Sequence, residues 1–373
     1  MNDVLILAGA RTPFAVWSHG TTGRGTPGGA LKELDPFDLG AAALRGALSR
    51  AGLKSADAGF TAFGNMYQVG AHGCYGARYV AHRAGLPPES IGTAVNLACG
   101  TGLLALKTAA DAIALGEAKI AAAVGADAPS RVRRDVFVPS FVDVSCGRHI
   151  AKTAEERAVE KGLTRAALDE WARRSHLRAR QNAAALAAEI VPAAGLTADD
   201  APLEDPAPER FSGARPLFDD GSTLMTHANV HGVVDGGAAL ILAAPKAAPG
   251  RALGRLVSTA LTGVAPERMA YAAVPAARLA LERARWRARD VDLWELNETF
   301  AAQVLLDCAE LALDPETVNV RGGAIALGHP FGATGLRLVL SLLLELKRRG
   351  LRRGAAAISV GGGPGIAACV EAL

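Results

Sequence analysis

The chain carries the same pattern twice. Val95-Asn96 precedes a glycine-bounded turn, Gly100-Thr101-Gly102, then a helical stretch over 103–115, Gly116, and a small-residue strand over 120–124 closed by Gly125. Val318-Asn319 precedes Gly332-Ala333-Thr334-Gly335, a helical stretch over 336–347, Gly350, and a strand over 355–360 closed by Gly361-Gly362-Gly363. Short apolar strands alternating with longer helical stretches predict an α/β protein whose sheets are covered by helices. Duplication predicts two halves of one fold rather than independent modules. The second copy carries extra residues, 321–330, ahead of its glycine turn, and extra residues at a symmetric position point to function. Between the copies, residues 126–231 change in composition. An Arg- and Ala-rich helix is expected from near Thr153, with Thr153 and Glu156 spaced as a capping box, and residues 193–215 read as loop. The expected division is 1–125 with 232–247 returning to it, a loop domain over 126–231, and a second half over 248–373.

Composition narrows what such a fold serves. Fifty per cent hydrophobic and 21% charged residues are an ordinary globular balance, not that of a disordered chain. Forty Lys and Arg against 37 Asp and Glu leave +3, too little for a protein that displaces counterions along nucleic acid, so no nucleic-acid partner is expected. No apolar run approaches the ~20 residues that cross a bilayer, so no membrane partner is expected either. The apolar run over 4–10 is strand-sized rather than a secretory signal, and five cysteines in no CxxC spacing argue against both a zinc site and a disulfide framework. A cytoplasmic location and no metal are the expectations.

Three segments carry reactive groups. Cys99, in Val95-Asn-Leu-Ala-Cys-Gly-Thr-Gly102, stands directly before a helix, where unpaired amides and the helix dipole favour thiolate and lower a thiol's pKa from about 8.5. A buried inert cysteine is the competing reading. His329, in the glycine-rich insertion Gly322-Gly-Ala-Ile-Ala-Leu-Gly-His-Pro330, titrates near neutrality and is suited to polarise a thiol or donate to an oxyanion. Asn297, at the end of an apolar strand, reads either as a helix cap or as an amide that holds a substrate oxygen or water. Gly361-Gly362-Gly363 reads as an anion nest or a crowded turn.

Together these segments, with Arg11-Thr-Pro-Phe14, Ala84-Gly-Leu-Pro87 and Gly361-Gly-Gly-Pro-Gly365, resemble the thiolase family over almost the whole chain. The resemblance implies a thiolase fold, two duplicated α/β halves in a layered αβαβα arrangement with an inserted loop domain. It also implies acyl transfer between thioesters, forming or cleaving a β-ketoacyl-CoA. Cys99 then carries the acyl group, and His329 activates it and contributes to an oxyanion hole completed by Asn297 through a water. The backbone amides of Cys99 and Gly361 form a second hole. His149 lies near the pantetheine arm and Met269 lines the acyl pocket. CoA and acyl-CoA are substrates, no permanently bound cofactor is expected, and a homodimer or homotetramer is implied.

Two positions depart from the family pattern. Ser359 stands where the family has a second catalytic cysteine, and a hydroxyl is a far weaker acid than a thiol. His231 stands where the family shows a small serine beside CoA, and residues 204–215 look shortened. Arg131, Arg133, Arg134 and Arg148 read equally as a phosphate-attracting cluster or a solvated face. The leading expectation is a thiolase-type acyltransferase with Ser359 in the second cysteine's place. A biosynthetic condensing enzyme of altered substrate and a silent acyl-CoA-binding scaffold are the alternatives.

Overall fold

A computed structural model describes residues 4–17, 29–68, 72–248, 250 and 252–373. Strands run in the order Leu293–Leu296, Arg353–Ser359, Pro364–Ala372, Gly254–Gly263, Val4–Arg11, Val234–Ala243, Ile120–Asp127, Phe60–Gly64 and Ile91–Val95. Each half places parallel strands at its outer edge, Leu293–Leu296 on Arg353–Ser359 in one and Ile91–Val95, Phe60–Gly64 and Ile120–Asp127 in the other. The halves are joined into one sheet, because the Val4–Arg11 strand pairs antiparallel with 254–256 on one side through Val4–Ile6 and with 238–243 on the other through residues 5–11.

The Thr101–Ala114 and Phe331–Arg349 helices lie at the centre, touching each other and strands of both halves. Phe331–Arg349 buries every residue from Phe331 to Leu343, as a helix covered on all sides must. Its C-terminus is closed by Gly350 in the left-handed region at φ 67°, which an L side chain resists. Pro36–Arg50 and Gly76–Arg83 cover the outer face of the first half, and Ala273–Ala284 that of the second. Three separate apolar clusters, one central and two outer, accordingly fill an αβαβα stack. The fold is the expected layered α/β arrangement.

The central helices meet backbone to backbone. A Cβ on Gly102 would stand 2.6 Å from the Gly332 carbonyl oxygen, and one on Gly125 would overlap that same oxygen. Small residues in the two repeated turns therefore have a tertiary reason.

Within the insertion, the capping expectation is corrected. The helix begins at Ile150, and His149 caps it by accepting the Ala151 N–H at Nδ1, 3.1 Å away; Thr153 is already inside the helix, bonded to the Ile150 carbonyl. A second helix, Arg165–Gln181, follows. Buried ion pairs tie the insertion to both halves: Glu189 accepts from Arg11 and Arg321, each at 2.9 Å, Asp199 accepts from Arg11 at 2.6 Å, and Arg321 also reaches Glu345 at 2.8 Å. Removing one partner of such a network leaves an uncompensated buried charge, at a cost of about 3–5 kcal/mol.

Candidate active site

Cys99 sits in a turn of 3-10 helix, Ala98–Gly100, between the Ile91–Val95 strand and the Thr101–Ala114 helix. Ala98 is held at φ 41°, a left-handed conformation that a non-glycine residue adopts at a cost of roughly 1–2 kcal/mol. Hydrogen bonds hold it there: Asn96 Oδ1 accepts the Ala98 N–H at 2.9 Å, and Thr101 Oγ1 accepts the Leu97 N–H at 2.8 Å. The thiol is buried at 4% exposure, with the amides of Gly361 and of Cys99 itself directed at its sulphur. Burial outweighs those amides and pushes the thiol up to about 11. The helix terminus alone argued for a lowered value; desolvation of the anion reverses the direction.

His329 is wholly buried and neutral, its pKa driven well below the usual range by burial, with His231 and Arg337 adding to the effect. Its tautomer follows from its neighbours. Thr334 Oγ1 donates its single proton to the Pro330 carbonyl at 3.0 Å, so it accepts the proton of His329 Nδ1 at 2.6 Å. Nε2 is left as the lone-pair nitrogen, with Asn297 Nδ2 at 3.4 Å. Cys99 and His329 are therefore both neutral at rest.

Asn297 does not cap the following helix, whose N-cap position is Phe300. Its Nδ2 donates to Thr299 Oγ1 at 3.0 Å, and its fully buried Oδ1 has no protein partner. An acceptor in that state is suited to a water or to a substrate group.

Two cavities of about 330 Å³ each meet at Phe141. The first is lined by Cys99, Gly361, Met66, Phe331 and the insertion's 139–145 segment; the second by His149, His231, Phe218, Phe300 and Arg134. The structure thus brings Cys99 and Gly361 to one cavity and His149 and His231 to its neighbour, with the His231 ring 5.0 Å from that of His329.

Four expected residues line neither cavity: His329 and Asn297, both wholly buried, and also Ser359 and Met269. Ser359 is wholly buried outside both linings, and its Oγ accepts the Ala273 N–H at 2.8 Å, at the start of the Ala273–Ala284 helix. Met269 is wholly buried in the outer apolar cluster of the second half. Of Arg131, Arg133, Arg134 and Arg148, Arg134 lines the second cavity. Arg133 pairs with Asp135, Arg148 pairs with Glu156, and Arg131 donates to the Lys32 and Glu33 carbonyls.

Three residues escaped the sequence reading. Asp127, at the end of the Ile120–Asp127 strand, accepts from Asn65 Nδ2 at 2.8 Å and from the Tyr67 and Gly332 amides at 3.0 and 2.6 Å. It thereby ties the loop beside Met66 to the start of the His329 helix, and burial raises it to about 7. Glu298 accepts from Trp171, Ser175, Asn319 and the Ile325 amide, joining the strand end at Asn297 to the insertion and to 321–330. Thr334 is the third. A lone acid at the end of an apolar strand was the available signal for Asp127 and Glu298; their partners are too distant in sequence to read.

The family profile described as "Thiolase, N-terminal domain" matches residues 4–136 and 125–246, and "Thiolase, C-terminal domain" matches 250–372. The acetyl-CoA acetyltransferase of Cupriavidus necator is 36% identical and that of Escherichia coli 36%, each alignment covering 100% of both chains. Human mitochondrial 3-ketoacyl-CoA thiolase in complex with CoA superposes with a TM-score of 0.92 at 30% identity, over 100% of this chain and 98% of that one. Bacillus anthracis acetyl-CoA acetyltransferase superposes at 0.91 and 33% identity, over 100% and 99%.

Proposed function

This chain belongs to the thiolase family and is an acyl-CoA acyltransferase, and within that chemistry we propose that Cys99 is the nucleophile that carries the acyl group. The observation that supports this best is the pair of amides, from Gly361 and Cys99, directed at the one cysteine that lines a cavity with the two glycines after the Arg353–Ser359 strand. Such amides stabilise the oxyanion that forms when a thioester carbonyl is attacked. His329 takes the thiol proton at Nε2, and the imidazolium so formed donates to the developing oxyanion, with Asn297 alongside. The neighbouring cavity, with His149, His231 and Arg134, receives the pantetheine arm of CoA; CoA is the ligand in the human relative. Ser359 serves here to hold the Ala273–Ala284 helix. The relatives do not favour a silent scaffold or a condensing enzyme of altered chemistry.

The finer assignments, a homo-oligomer and a cytoplasmic site of action, rest on resemblance. The exposed edge strand Ile91–Val95, with Ile91 57% exposed, supports a partner along that edge. Among the described residues no helix is long and apolar enough to cross a membrane.

Intact-mass analysis after incubation with acetyl-CoA tests the nucleophile. An acetyl adduct that maps to Cys99 and disappears in Cys99→Ala is expected. An adduct on another cysteine, or none, removes this reading.

A further inference from the structure

Breaking or making a carbon–carbon bond next to a thioester requires a second base, because the proton on the α-carbon, C2, must leave or return while Cys99 holds the acyl group. Ser359 is poorly placed for that task. Its oxygen is committed to Ala273, its side chain is sealed from both cavities, and a hydroxyl is a weak acid–base group at neutral pH. His231 is placed differently. Its ring lines the cavity that adjoins the Cys99 cleft and stands perpendicular to His329 at 5.0 Å. Its Nδ1 lies 3.1 Å from the Gly232 carbonyl, which only accepts, so Nδ1 holds the proton and Nε2 holds the lone pair. Both rings therefore present the same tautomer, each fixed from behind by an oxygen, and each leaves Nε2 as a base.

We propose that His231 is the proton carrier for C2 of the substrate thioester, working beside the His329 that serves Cys99; the proposal rests on the Cys99 reading above. In the condensation direction Nε2 of His231 takes a proton from C2 of acetyl-CoA. The C2 carbanion attacks the acyl carbon, the bond from that carbon to the Cys99 sulphur breaks, and the sulphur leaves as thiolate. That thiolate is reprotonated through the imidazoles, so the proton lost by C2 ends on Cys99 and no other reactant is consumed. Thiolysis runs the same steps backwards. Burial holds His231 down to about 4, which keeps its ring neutral and Nε2 unprotonated at pH 7. The charged or titratable groups that share its surroundings are His329, with His149 and Arg134 across the cavity.

Two measurements on the full chain separate this proposal from the reading beneath it: acetylation of Cys99 by acetyl-CoA, followed by mass, and deuterium uptake into C2 of acetyl-CoA in heavy water. With both rates read at saturating acetyl-CoA, His231→Gln is expected to lower C2 exchange by about 100-fold or more beyond whatever it takes from Cys99 acetylation. Wild-type exchange is expected to be level between about pH 6 and 9. Exchange that persists in His231→Gln, or that is lost in Ser359→Ala but kept in His231→Gln, overturns the proposal. If His231→Gln melts early, His231→Asn replaces it under the same criteria. Failure of wild-type Cys99 to acetylate while His231-dependent exchange continues sinks the nucleophile reading alone.

Discussion

Thr101 and Thr334 occupy the same place in the two copies of the glycine turn, and they hold different things. In the first copy the hydroxyl folds the turn itself, accepting the Leu97 N–H, and backbone amides face the Cys99 sulphur. In the second copy the extra residues 321–330 carry His329 over the turn, and the threonine accepts from a side chain, fixing which imidazole nitrogen is basic. Asn96 and Asn319 show the same divergence on a shared theme: Asn96 donates to the Met66 carbonyl, whereas Asn319 donates to the Leu296 carbonyl and to Glu298. Duplication supplied two equivalent helix starts pressed together, and one insertion turned the second from a backbone brace into a holder for a base.

The sharpest break of this comparison is to remove the group that only one copy has. Cys99→Ala is expected to lower thiolysis of acetoacetyl-CoA by at least about 10³-fold with the melting temperature little changed, since among the described residues no other thiol lines that cleft. Gly125→Ala attacks what the copies share. Its methyl would overlap the Gly332 carbonyl, and a loss of about 3 kcal/mol in urea unfolding is expected; wild-type stability in this variant would mean that the two halves do not touch there.

Thr334→Val against Thr101→Val sharpens the contrast. The first is expected to lower kcat about tenfold by freeing the His329 tautomer, worth about 1–2 kcal/mol of hydrogen bonding. The second is expected to lose a similar amount chiefly as folding stability, read from denaturation. Equal kcat losses in the two would show that the threonines do the same work.

Acid titration separates buried groups of opposite sign. His231 is held near 4 against about 6.5 unfolded, so below pH 6.5 the unfolded chain binds a proton that the native chain refuses, and stability falls as pH drops from 6.5 to 4, by about 1.4 kcal/mol per unit. Asp127, raised to about 7, does the reverse: the native chain keeps a proton that the unfolded chain has released, and stability falls as pH rises from about 4 to 7. Melting temperature against pH should therefore show a shallower acid-side decline in His231→Gln, with His329, His176 and His149 supplying the remainder, and a steeper one in Asp127→Asn. The smallest effect is the control Gly263→Ala, where a Cβ meets nothing and a change within about 0.5 kcal/mol is expected.

Much of this was legible in the chain as written. The repeat, its glycines and the α/β alternation are local patterns, and each appears in the fold at nearly the expected residues. The Thr101–Ala114 helix begins two residues before the stretch read from periodicity, and Phe331–Arg349 begins five before. Cys99 and His329 were visible as reactive residue types in glycine-rich surroundings. The capping of Ile150–Glu160 by His149 was missed because a histidine acceptor is an uncommon cap, and Asn297 was half-read as a cap because a strand end before a helix looks the same in either role.

What the linear chain could not supply was protonation and reach. The thiol's upward shift, the two neutral histidines and the raised Asp127 come from desolvation by residues tens to hundreds of positions away. The capture of Ser359 by the Ala273 amide, the joining of two sheets at 4–6 and 254–256, and the meeting of His231 with His329 are likewise contacts between distant segments. Sequence sets which groups are present and the local shape that carries them; only packing sets how dry each one is and what it faces, and acid–base chemistry depends on both.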